Sequence, residues 1–283
     1  MALETGTQLA SPDRLARNSI GLPHIVFFVL AAAAPLTAVV GGTPGAFAFG
    51  NGPGVPGAFL IVGCLYLLFT VGFTAMMRHV KGCGAFYTYI ANGIGKPAGV
   101  GAAMMAIVTY NSVQIAIYAL AGIIVSGALA PMGVEVPWWS VSLTAIVLVT
   151  ICGQRNVAFS GNILGVCLIA EVAILLLLDI AILVGGGGPE GIGFSSFSPS
   201  VVVGPGLGLV LVFVVASFIG FEATAIFSEA ARNADRTIAR ATYVAIIIIG
   251  GFYAFTTWCV VQLYGPSKIA ETAKANLETL YLN

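Results

Sequence analysis

Charge is what this sequence has least of. Only 8% of its 283 residues are Asp, Glu, Lys or Arg, against about a quarter in an ordinary soluble domain. That scarcity excludes a soluble globular domain, and no such domain survives between the apolar runs. Histidine is nearly missing too: its two copies, His24 and His79, sit near the polar ends of apolar runs, where solvation is expected. With no histidine cluster and no HExxH, a membrane-embedded enzyme lacks its usual acid–base and metal groups, and no cofactor or metal site is expected. The five cysteines (Cys64, Cys83, Cys152, Cys167, Cys259) are odd in number and without metal-ligand spacing, and read as small hydrophobes. No cleavable signal peptide is expected, because residues 1–19 are polar and the apolar run that follows is far longer than a signal core. Nucleic acid is not an expected partner. The lipid bilayer is.

What the chain does have is long apolar runs, with 59% of its residues hydrophobic. About 20 such residues cross a bilayer as a helix. Seven spans are expected: residues 24–49, 55–77, 96–130, 136–152, 161–184, a sixth within 201–241, and 242–264. Trp138 and Trp139 open the fourth as an interfacial pair. Lysine and arginine are distributed unevenly. Arg14, Arg17, Arg78, Lys81, Lys96, Arg155, Arg232, Arg236 and Arg240 fall on the side of the N-terminus, and only Lys268 and Lys274 on the other, nine and two of the 11. The positive-inside rule then puts the N-terminus in the cytoplasm of a multi-pass cell-membrane protein. A seven-helix receptor would need the opposite orientation. A pore-forming subunit would want a repeated filter or an acidic ring, and neither is present.

Two of the spans are interrupted. Pro35 and the run Gly41-Gly42-Thr43-Pro44-Gly45 should unwind or kink the first between Ala31 and Gly42, since proline removes one helix bond and clashes with the turn before it. The sixth reads Ala216-Ser217-Phe218-Ile219-Gly220-Phe221-Glu222 where a plain spanning helix would carry leucines. An acid near the middle of a bilayer costs roughly 2.5–3.5 kcal/mol on insertion scales, so Glu222 should face a cavity or a partner. Glu171, in the fifth span, lies further from either break, while Asp179 and Glu229 near span ends should be interfacial or solvated. Tyr110, Asn111, Ser112 and Gln114 form a polar group in the third span. Tyr110 and Gln114 share a face, and such groups serve as helix–helix glue as readily as ligands to a solute. Paired broken spans in corresponding positions of two repeats point to a solute site at the midplane of a transporter.

The residues resemble the amino acid–polyamine–organocation superfamily of permeases along the whole chain. Gly82-Cys83-Gly84-Ala85-Phe86-Tyr87-Thr88-Tyr89 is similar to the Gly-Gly-x-Tyr-x-Tyr motif that starts the family's third helix, and Ser217–Glu222 to its sixth-helix break. Ser228-Glu229-Ala230-Ala231-Arg232-Asn233 with Arg236-Thr237-Ile238-Ala239-Arg240-Ala241 looks like the cytoplasmic signature that follows, with Ala234 and Ala239 in place of two prolines. The resemblance implies an all-α integral membrane protein of the inverted-repeat, five-plus-five fold, moving amino acids or related amines, often with protons. By position it implies that Phe218, Gly220 and Glu222 lie at the sixth-helix break. Pro35, Thr37, Ala38 and Val39 would line the first, and Asn111 and Gln114 would approach from the third. Thr37-Ala38-Val39 stands where many members have Gly-Ser-Gly, which leaves carboxylate recognition there open. Glu171 lies near a fifth-helix position that is lysine in some proton-coupled members, and with Glu222 makes the coupling or gating pair. On this reading residues 1–19 are a cytoplasmic tail, 20–188 the first five-helix repeat, 189–264 two helices of an unfinished second repeat, and 265–283 an extracytoplasmic tail. Family members usually have about twelve helices, so the chain is expected to be part of a longer permease, inactive alone.

Overall fold

The computed structural model describes residues 20–80, 84–154, 157–229, 231 and 233–281, without the side chains of 157–162, 228, 229 and 235. The expected N-terminal tail, Gly82 and Cys83 of the third-helix motif, Arg155 and Arg232 lie outside those residues. The chain is helical, with no strand among the described residues beyond an isolated bridge between Ile20 and Ala231. In order, the helices are α1 (Leu22–Ala32), α2 (Pro35–Thr37), α3 (Thr43–Phe49), α4 (Val55–His79), α5 (Ala85–Gly93), α6 (Lys96–Leu129), α7 (Trp138–Gly153), α8 (Val157–Val184), α9 (Pro199–Val202), α10 (Leu207–Ala216), α11 (Ala234–Tyr264) and α12 (Ile269–Ala275).

Among the described residues, six helical stretches are long and apolar enough to cross a membrane: Leu22–Phe49, Gly52–His79, Lys96–Met132, Ile163–Val184, Leu207–Phe227 and Arg236–Tyr264. The fourth expected span, residues 136–152, is the shorter helix α7, with 16 residues. At 1.5 Å per residue it covers about 24 Å, less than a hydrocarbon core of about 30 Å. Pro137 sets its start and the polar link at Gln154 its end.

The core forms where α4 and α11 pack along one another, with α1, α8 and α10 against them. The two central helices run antiparallel, as Phe59 early in α4 meets Tyr253 late in α11, ring centroids 5.5 Å apart. They cross at Gly63 and Gly250, where a Cβ on Gly250 would stand 3.7 Å from the Gly63 Cα. Small residues at a crossing let backbones approach where no hydrophobic drive exists between helices in lipid. The helices α5, α6 and α7 form a peripheral group, and α6 leaves Met105, Val108 and Ile115 largely exposed.

One sequence expectation changes here. Asp179 is fully buried rather than interfacial, because α11 covers its face of α8, and its Oδ2 accepts the Thr256 hydroxyl at 2.8 Å. The segment after Tyr264 packs back on the core. Ile269 and Ala273, one turn apart on α12, are buried with Leu280, and α12 packs on α3. The Tyr281 and Thr43 hydroxyls lie 2.5 Å apart.

Candidate functional site

Both interrupted spans are broken in the backbone. In the first, α1 stops at Ala32 and Ala34 takes a left-handed conformation, φ 43°. One turn of α2 follows, then a π-helix, Ala38–Gly42, before α3 resumes. The break itself therefore lies at Ala33–Ala34, just ahead of Pro35, whose ring disfavours a right-handed helical residue before it. In the sixth span α10 stops at Ala216, a turn runs through Gly220, and a 3-10 helix covers Phe221–Glu229. Nine residues is long for a 3-10 helix, and such stretches within a span mark strain or a hinge.

The two breaks touch. Gly220 has φ 111°, and a Cβ there would stand 2.9 Å from the carbonyl carbon and oxygen of Ala32. Only glycine combines that dihedral with so close an approach of another backbone.

An unpaired backbone group in a bilayer core costs several kcal/mol, and each break has partners. At the first, Leu36 donates its N–H to Glu171 Oε2 at 3.3 Å, and the Tyr253 hydroxyl donates to Ala33 O at 3.2 Å. At the sixth, Gly220 donates its N–H to Glu222 Oε2 at 3.0 Å, and the Tyr66 hydroxyl donates to Val215 O at 3.2 Å. Each break is thus held by one glutamate that takes an amide and one tyrosine that serves a carbonyl. Glu171, expected to be remote from any break, in fact reaches the first. Its side chain is half-buried on α8, which packs against α1 and α2.

The second oxygen of Glu222 accepts the Tyr110 hydroxyl from α6. Glu222 is only 8% exposed and lines a cavity of about 590 Å³ between α4, α6 and the sixth span. The walls are Tyr66, Phe69, Phe86, Phe221 and aliphatic side chains, with Glu222 the one charged residue among them. Phe218 lies behind this wall, wholly buried and stacked on Tyr66 at 4.9 Å. Of the polar residues singled out in the sequence, Glu222 and Tyr110 line the cavity. Pro35 and Val39 are buried in the first span, and Thr37 and Ala38 are partly exposed there. Asn111 bonds back to Ile107 O at 2.7 Å on its own helix. Gln114 is exposed.

Sequence reasoning passed over Tyr66 and Tyr253. A signal was present: Gly63-x-x-Tyr66 and Gly250-x-x-Tyr253 repeat one spacing on the second and seventh spans. The glycines meet at the crossing, and one turn on Tyr66 reaches the sixth-span break and Tyr253 the first-span break.

A family profile described as amino acid permease matches residues 24–278. The chain belongs to the amino acid permease family. Family and apolar spans together make it a multi-pass membrane protein of the amino acid transporters. A search of curated proteins found no match.

Proposed function

We propose that this permease chain carries the substrate cavity and both hinge points of a secondary active transporter working by alternating access. Its substrate is an amino acid or related amine whose ammonium binds Glu222. The observation that carries this reading is the cavity with a single carboxylate in an aromatic wall. An ammonium there would gain a charge-assisted bond and the ring faces around it, while no cationic side chain lines the cavity to receive a carboxylate. The Tyr110 hydroxyl holds the Glu222 oxygen that faces α6. An incoming ammonium would displace it and loosen α6 from the sixth span, linking occupancy to helix position.

The inverted-repeat reading, residues 20–188 against 189–264, draws support from the matched Gly-x-x-Tyr pairs on antiparallel α4 and α11. A two-fold axis between the spans would exchange Gly63 with Gly250, Tyr66 with Tyr253, and the sixth-span break with the first. Pro35, Thr37, Ala38 and Val39 form the first-span half of that hinge, and Phe218 and Gly220 the sixth-span half. Asn111 and Gln114 lie on the helix that Tyr110 ties to the site. Protons are the proposed coupling ion, with Glu222 as carrier and Glu171 as its counterpart at the other break. The titratable groups around Glu222 are Tyr110 and Tyr66. The nine-to-two division of basic residues supports a cytoplasmic N-terminus in the cell membrane.

The test is ligand binding to the purified 283-residue chain by a scintillation proximity assay, with labelled amines, amino acids and carboxylic acids. Amines should bind, and Glu222→Gln should weaken them about tenfold or more, the worth of one bond to a charged group. Equal affinity of parent and variant would sink the assignment.

A further inference from the structure

A second cleft lies away from both breaks, where the C-terminal end of α4 meets the N-terminal end of α11. It encloses about 410 Å³ and is lined by Arg78, Arg236, Ala239, Arg240 and Tyr243. We propose that it binds the phosphate of an anionic membrane lipid.

Four observations carry this. The guanidinium-bearing residues come from two helices and face one space, with Arg236, Arg240 and Tyr243 on one stripe of α11 by their spacing. Among the described residues, no carboxylate lines the cleft and none of the three arginines has an ion-pair partner. Like charges so placed repel, so the arrangement suits a bound anion better than an empty surface. Guanidinium forks match phosphate oxygens in pairs, a fit that lysine does not provide. Lastly, Arg78 is in the last turn of the span Gly52–His79 and Arg236 begins the span Arg236–Tyr264. The cleft therefore lies at headgroup depth, where basic pockets between spans hold anionic headgroups. Ala239 keeps its floor low, and Tyr243 offers an amphipathic ring suited to that interface.

The experiment places the purified 283-residue chain in nanodiscs of phosphatidylcholine, with or without phosphatidylglycerol, and reads melting temperature and lipid retained in native mass spectra. Phosphatidylglycerol should stay bound and raise the melting temperature. The variant carrying Arg78→Gln, Arg236→Gln and Arg240→Gln should retain it about tenfold less or weaker still. Arg240→Gln alone should lie between, which keeps the test valid if the triple variant folds poorly. Inorganic phosphate added to phosphatidylcholine nanodiscs should not reproduce the gain. If it does, the ligand is a soluble phosphate and the lipid assignment is wrong. If the variants retain phosphatidylglycerol as the parent does, or melt lower by the same amount in both lipids, the arginines serve the chain's own acids and the proposal fails. None of these outcomes depends on transport or on Glu222.

Discussion

Gly220 is the position with least tolerance for change. Its positive φ, and the Ala32 carbonyl 2.9 Å from where a Cβ would stand, leave no room for a methyl group on either count. Gly220→Ala should lower stability by about 1–3 kcal/mol from the dihedral alone. In detergent this should appear as a depressed melting temperature, together with weaker ligand binding as the breaks separate. An unchanged melt would mean that the two breaks are not in contact. Glu222 was singled out by the rule that an acid inside a span must have company, and the company proves to be two donors, the Gly220 amide and the Tyr110 hydroxyl.

At the scale of the element, the interrupted helices persist because neighbouring helices satisfy what the interruptions expose. Tyr253 is wholly buried and its bond to Ala33 O is shielded, while the bond from Tyr66 to Val215 O is exposed. Tyr253→Phe should therefore cost about 1–3 kcal/mol, the penalty of a buried unsatisfied carbonyl. Tyr66→Phe should cost about 0.5–1.5 kcal/mol, the net worth of an ordinary bond. Paired chemical or thermal melts of the two variants decide this, and a larger cost for Tyr66→Phe would contradict the burial argument. That the first and sixth spans break was legible from Pro35 and Gly220. That Leu36 and Ala33 at the first break find their partners in Glu171 and Tyr253 was not, because those residues come from helices remote in sequence.

For the whole molecule, the uneven placement of lysine and arginine predicts topology. In a cysteine-free background, Ser195→Cys and Lys274→Cys, both at exposed positions, should react with an impermeant maleimide added to intact cells. Asn233→Cys, exposed on the opposite side of the last span, should react only after the membrane is opened. Labelling of Asn233→Cys alone in intact cells would reverse the orientation.

The sequence by itself determined the solvent, the helical class, the broken spans and the family. The first three follow from composition, from the length of apolar runs, and from proline, glycine and acid placed where a simple span cannot accept them, and the family from the resemblance carried by residues 82–89, 217–222 and 228–241. Tertiary structure decided which groups meet at the breaks. Asp179 and Glu171 show the limit most clearly: both sit on α8, and position along the chain suggested an interfacial acid and a remote one. Packing of α11 over α8 buried the first, and packing of α8 against the first span brought the second to Leu36. Burial and hydrogen bonding are set by the helix that arrives from elsewhere, and local sequence carries no record of which helix that is.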